Sequence, residues 1–256
     1  MGNEASHQAI VGQQFGQRAN AYLTSQVHAE GGDLDELVRL AAGHRPASAL
    51  DLGCGGGHVA YRLASLVGEM HASDLSEAMV ATVSAEAKRR GLDNVIAERA
   101  AVERLPYADR TFDMVVTRYS AHHWHDFSAG LSQARRVLKP DGLAVFIDVV
   151  SPGNPLLDTW FQTLELLRDP SHVYNRSEAE WREAVETAGF RPDGVSHFKL
   201  RLDFASWIGR MRTPDAHVAA IRSLQALAAR EVVEHFQFEA DGSFTIDSML
   251  LVARPA

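Results

Sequence analysis

The residues most able to do chemistry lie in Leu50-Asp51-Leu52-Gly53-Cys54-Gly55-Gly56-Gly57-His58. An apolar run enters a cluster of glycines and leaves it as a helical pattern. Glycine lets the backbone take positive φ and lets a ligand approach with no Cβ in the way. The helix start adds free amide donors and the positive end of a dipole. Asp51 sets an acid just before the turn. A second acid, Asp74, ends the next short strand-like run, Met70 to Asp74. It falls about 20 residues after the turn, where a carboxylate can accept both hydroxyls of a ribose. Asp74 or Ser76 also suits the N-cap of the helix that follows. Gly53 and Gly55 fit the first two glycines of a dinucleotide fingerprint, but His58 stands where the third would be. The spacing that fits is Asp-x-Gly-x-Gly-x-Gly, carried by Asp51, Gly53, Gly55 and Gly57.

The other chemical cluster is His122-His123-Trp124-His125, a set of candidate proton acceptors. Adjacent histidines point apart on most backbones, and neither a carboxylate nor a cysteine sits at ligand spacing, so no metal centre is expected. Cys54 is the only cysteine, which excludes an internal disulfide and a cysteine-rich zinc site.

The elements that position these groups alternate. Short strands over 48–52, 69–73, 95–98, 111–117 and 142–149 are separated by helical spacings at 58–67, 76–90 and 128–138, which predicts βαβ units and a parallel sheet. Upstream, residues 1–45 read as helical. Leu34, Leu37, Val38 and Ala41 form one face, with Asp33 a candidate cap and Gly43 a candidate stop, and Ala19 to Val27 reads as a further short helix. Downstream come a helix at 156–167 and a helix opened by the capping box Ser177-Glu-Ala-Glu. Then follow a strand at 190–202, a mostly helical stretch at 204–236, and a last strand at 243–253 after the Asp241-Gly242 turn. The expected organisation is a single domain over 1–256. It has an N-terminal helical cap (1–45), a cofactor-binding core (46–150), and a remainder carrying a helical insertion at about 204–237.

The chain has 256 residues and a formal net charge of −8. That acidic balance disfavours nucleic acid as the main partner. The absence of a signal sequence or a membrane-length apolar run points to a cytoplasmic protein with no membrane partner; a monomer or homodimer is expected.

The motifs resemble, in order and spacing, those of the class I S-adenosylmethionine-dependent methyltransferases. The Asp51–Gly57 turn is similar to their first motif. Leu105-Pro106-Tyr107 followed by Phe112-Asp113 looks like a stretch of the small-molecule members, including the ubiquinone and menaquinone methyltransferase type. Thr117 to Trp124 looks like the segment after their fourth strand, and Leu138 to Leu143 like the turn before their fifth. The chain departs from the family at Ala101, where an acid often contacts the adenine.

The resemblance implies an α/β, Rossmann-like, doubly wound seven-stranded sheet, mostly parallel with an antiparallel last strand, plus N-terminal helices and a helical insertion. It implies S-adenosyl-L-methionine as cofactor and S-adenosyl-L-homocysteine as product. The cofactor-binding residues expected are Tyr22, Asp51, Gly53, Gly55, Gly57, Asp74, Leu75, Ala101, Val102 and Arg118. His123 and His122 are the catalytic candidates, and Tyr119, Trp160, Tyr174 and Trp207 the candidate walls of an acceptor pocket for an apolar or aromatic small molecule. The transfer is an in-line displacement from an activated donor, so the protein must chiefly align the acceptor and exclude water. The competing readings are a non-catalytic adenosylmethionine-binding protein or subunit of an RNA-modifying complex, and an NAD-dependent oxidoreductase.

Overall fold

The computed structural model describes residues 5–16 and 31–256. Seven strands form one sheet: β1 (Ser48–Leu52), β2 (Glu69–Asp74), β3 (Val95–Arg99), β4 (Phe112–Arg118), β5 (Leu138–Val150), β6 (Phe190–Leu202) and β7 (Phe244–Pro255). Their order is β3-β2-β1-β4-β5-β7-β6. Neighbours from β3 to β5 pair in parallel, while β7 pairs antiparallel with both β5 and β6. The order reverses between β1 and β4, and a crevice must open there at the carboxyl ends of the strands.

The helices are α1 (His7–Gly16), α2 (Gly32–His44), α3 (His58–Leu63), α4 (Glu77–Arg90), α5 (Phe127–Val137), α6 (Pro155–Arg168), α7 (Glu178–Thr187), α8 (Phe204–Met211), α9 (Asp215–Leu227) and α10 (Arg230–Phe236). The period-2 pattern of the strands divides the core. Leu50, Leu52 and Phe146 meet Trp124, Leu131 and Trp181 on the α5–α7 face. Ala49, Val145 and Ile147 meet Leu37, Leu63 and Val83 on the α2–α4 face. A third core joins α6 to α8–α10 through Phe161, Trp207, Ile221 and Phe236, packed on Val149, Leu202 and Phe244. Those last three residues stand at the carboxyl ends of β5 and β6 and at the start of β7. The insertion therefore rises over the same sheet edge as the crevice.

Local chemistry explains most boundaries. Ser177 and Glu180 complete the expected capping box on α7. Asp126 caps α5 by accepting from the Ala129 N–H, and Gly91, at φ 70°, ends α4. Other boundaries differ from expectation. Asp33 does not cap α2; it turns inward to Arg118, and Gly31 holds the cap position without a side-chain bond. Nor does α2 stop at Gly43. It runs to His44 and ends at Arg45 in the left-handed region, just before Pro46, which cannot continue a helix. β5 begins at Leu138 rather than Gly142, because Leu138 still pairs with Phe112 before the register shifts. The helical stretch 204–236 is three helices, broken at left-handed Arg212 with Pro214 behind it, and again at 228–229. The expected helix at Ala19 to Val27 lies outside the described residues.

Candidate functional site

The glycine turn sits at the crevice. Gly53, Gly55 and Gly57 all have positive φ, at 67°, 49° and 82°. At Gly53 space matters as well as conformation, since a Cβ there would overlap the hydroxyl of Ser120 on the opposite lip. Asp74 braces the turn. Its Oδ2 accepts the Gly55 N–H at 2.9 Å and its Oδ1 the Ser76 N–H at 2.8 Å. The cap of α4 is Ser76 itself, whose hydroxyl accepts from Met79. Burial pushes the Asp74 carboxyl up, against the pull of those backbone bonds.

Asp51 lies beneath the turn and is 1% exposed. Its Oδ2 has no hydrogen-bond partner among the described residues. Burial, and then the charge of Asp74, push it to about 8, while Arg118 opposes the rise. Arg118 ends β4 and is paired with the buried Asp33 of α2. The same burial, with Asp74 and Asp51 nearby, pushes the Cys54 thiol well up, which keeps it protonated.

Around these groups is a cleft of about 980 Å³, counted with the open solvent at its mouth. Its floor is the glycine turn and Asp51, and one wall is Asp74, Leu75, Ala101 and Val102. The other wall is Arg118, Tyr119 and Ser120, continuing to His123 and Trp124. Helix α1 adds His7, Gln8, Val11 and Phe15. The Phe15 and His123 rings meet edge to face at 4.8 Å. Glu103 also lines the cleft, but its carboxylate accepts from the backbone of His125 and Asp126 and from Gln8.

A second cavity of about 560 Å³ adjoins the first, and Tyr119 and His123 line both. Tyr119 sits at φ 52°, a conformation that bulky residues rarely hold. Its amide bonds Ile147 O at 2.9 Å, which pins it at the junction. The insertion walls this cavity with Trp207, and α6 supplies Glu165 and Arg168. His122 lines it too, with Nδ1 2.6 Å from Oδ1 of the buried Asp148. Burial works against a charged His122, but the Asp148 carboxylate, joined by Glu165 and Asp169, outweighs it and the pKa goes up. His123 goes the other way, to about 4, through burial and the neighbouring His122. Its Nδ1 bonds Ser171 O at 3.0 Å.

The fold thus gathers most of the sequence candidates. Asp51, Gly53, Gly55, Asp74, Leu75, Ala101, Val102 and Arg118 surround the first cleft, with Gly57 just behind it as the left-handed residue before α3. His122 and Trp207 line the second cavity. Trp160 and Tyr174 line neither. Trp160 packs against the α6–α10 core, and the Tyr174 hydroxyl turns to Glu180 and Asp158. Tyr22 lies outside the described residues. Sequence reasoning missed Asp148, Glu165 and Arg168. Asp148 had a readable signal, a lone acid inside the apolar run Val145 to Val150. Glu165 and Arg168 look like one ordinary helix surface until the insertion covers them.

Residues 50–146 match a family model described as a methyltransferase domain. YcgJ of Bacillus subtilis, an uncharacterized methyltransferase, is 34% identical over 78% of this chain and 79% of its own. The chain belongs to the class I S-adenosylmethionine-dependent methyltransferases. The crystal structure of YcgJ superposes with a TM-score of 0.82, covering 87% of this chain and 97% of that one. YafE of Escherichia coli, an uncharacterized protein, is 44% identical over 78% of this chain and 97% of its own. The demethylmenaquinone methyltransferase of Chlorobaculum parvum is 30% identical over 45% of this chain and 46% of its own. Among the described residues no helix of this methyltransferase is long and apolar enough to cross a membrane.

Proposed function

We propose that this methyltransferase holds S-adenosylmethionine in the cleft between β1 and β4 and methylates a small molecule seated in the adjoining cavity. The observation that carries this reading is Asp51 Oδ2, a buried acceptor with no donor, at the floor of a cleft whose glycines admit a ligand against the backbone. The residues fit the cofactor. Asp51 suits the ammonium group, and Asp74 keeps lone pairs for the ribose hydroxyls beyond its two backbone bonds. When bound, the cofactor supplies a methyl group on a positively charged sulfur. The protein's share is to orient and to exclude water. Phe15 and Val11 of α1 cover the cleft, and Tyr119 with His123 separates donor from acceptor. The adenine finds an apolar bed at Ala100 to Val102 with no side-chain acid at Ala101, and Glu103 is already bonded to the chain.

The acceptor cavity is more polar than an apolar or aromatic substrate alone would need, since Glu165, Arg168 and His122 share it with Trp207. Calorimetric titration with S-adenosylmethionine, S-adenosylhomocysteine and NAD tests the reading. Micromolar binding of the adenosyl ligands, absent for NAD and lost in Asp74→Ala, is the expected result. Binding of NAD alone would sink it. Binding without turnover on any small acceptor would move the protein to a non-catalytic role or into an RNA-modifying complex.

A further inference from the structure

The second cavity contains a histidine–carboxylate pair that the cofactor cleft does not use. Asp148 is 1% exposed and grips His122 twice, through Nδ1 at 2.6 Å and through the backbone N–H at 3.2 Å. A carboxylate only accepts, so the bond assigns the proton to Nδ1 and leaves Nε2 with the lone pair when the ring is neutral. Nε2 has no hydrogen-bond partner among the described residues, and the ring lines the cavity. The other nearby rings are each held through one nitrogen by a neutral group rather than a carboxylate, and His172 Nδ1 is buried without a partner among the described residues. His123 Nδ1 is on Ser171 O, and His172 Nε2 is on Gln162 Oε1 at 2.9 Å. Val149, Leu202, Ile246 and Trp207 give the cavity an apolar side opposite its charged one.

We propose that His122, oriented by Asp148, is the base that takes the proton of an acceptor hydroxyl in this second cavity, and that the acceptor is an aromatic or enolic alcohol lying against the Trp207 side. The inference rests on the cofactor reading above. An amine attacks with its own lone pair and sheds its proton afterwards, and a thiol ionises readily near neutral pH. A hydroxyl needs its proton removed as it attacks, which a carboxylate-oriented imidazole can do, and the apolar side that holds Trp207 suits an aromatic or enolic one. In the step, the acceptor O–H proton passes to Nε2 while oxygen bonds to the methyl carbon. The carbon–sulfur bond breaks, its electron pair stays on sulfur, and the positive charge ends on the imidazolium beside Asp148. The groups facing His122 are Asp148 from β5, Glu165 and Arg168 from α6, Asp169 and His172 from the loop beyond it, and His123 alongside.

The test uses the full chain with S-adenosylmethionine and two phenols, 4-methoxyphenol, which is un-ionised at neutral pH, and pentafluorophenol, which is ionised. S-adenosylhomocysteine formation is the readout. His122→Gln and Asp148→Asn should each slow 4-methoxyphenol by about 10²- to 10⁴-fold, and pentafluorophenol by less than about tenfold, because no proton remains to be removed. Equal losses on both phenols overturn the base. Turnover of neither phenol by the unaltered enzyme, with S-adenosylmethionine bound, overturns the acceptor class. Failure to bind S-adenosylmethionine at all removes the reading underneath, and calorimetry reads that separately. Should the variants fold poorly, nitrogen NMR of the unaltered protein decides. Recorded at a pH high enough to leave the ring neutral, His122 protonated on Nδ1 supports the assignment, and protonated on Nε2 overturns it.

Discussion

Asp51 and Asp74 are both acids in one crevice, yet the chain treats them differently. Asp74 receives two backbone N–H groups, whereas Asp51 Oδ2 receives none. An acid pushed to about 8 binds a proton in the folded state that the unfolded chain releases near pH 4. The folded state then holds more protons across that window, and stability falls as pH rises from about 4 to about 8. Asp51→Asn should flatten this part of the pH–stability curve, measured as thermal midpoints between pH 5 and 8.5, while weakening S-adenosylmethionine. In the unaltered protein, cofactor binding should release protons near pH 7, as a cationic ligand lets Asp51 ionise. Calorimetry in buffers of different ionisation enthalpy measures that release, and its absence would show that Asp51 does not meet the charge. At Gly53, replacement by Ala should abolish measurable cofactor binding, because the Cβ overlaps Ser120 and the φ of 67° strains any side chain.

At the scale of the element, positions come from caps and pairing more than from propensity. The Ser177–Glu180 box starts α7 and helps to set Trp181 against Phe127 and Phe146, the packing that backs the histidine turn. Ser177→Ala should cost about 1 kcal/mol, within the usual range for a lost cap, and leave cofactor affinity unchanged. Denaturant unfolding and calorimetry together check both parts. The alternating strands, the glycine turn and the late capping box were legible because each is local: a period of two, a backbone needing positive φ, a side chain reaching three residues on. Asp33 was misread as a cap for the same reason. As a local feature it is a good one, and only the distant Arg118 explains why it faces inward. Gly43 likewise looked like a stop, but the chain ended α2 at Arg45, where Pro46 forces the break.

At the scale of the molecule, the insertion decides what the enzyme can hold. Helices α8–α10 leave the sheet between β6 and β7, at the carboxyl edge where the strand order reverses between β1 and β4, and close a second cavity against the first. Trp207 is 1% exposed in the α6–α10 core and also walls that cavity. Trp207→Ala should destabilise by about 3–5 kcal/mol, as large aromatic truncations in cores do. The milder Trp207→Phe should leave S-adenosylmethionine affinity unchanged and alter KM for the acceptor. A changed cofactor affinity in Trp207→Phe would mean that the two cavities do not act as separate sites.

The sequence by itself determined the sheet class and the glycine turn with its two acids, since those rest on periodicity and spacing within about 20 to 30 residues of one another; the methyl-donor family was legible as a resemblance, carried by several motifs in the family's order. Tertiary structure alone decided which histidine has a carboxylate, that Glu165 and Arg168 share a cavity with His122, and that Trp160 and Tyr174 stand away from it. His122 and Asp148 are 26 residues apart. They meet because β4 and β5 are parallel neighbours, so the turn that leaves β4 lies beside the end of β5. Pairing of that kind depends on which strands become neighbours in the sheet, a choice made by burial across the whole core and written in no single segment.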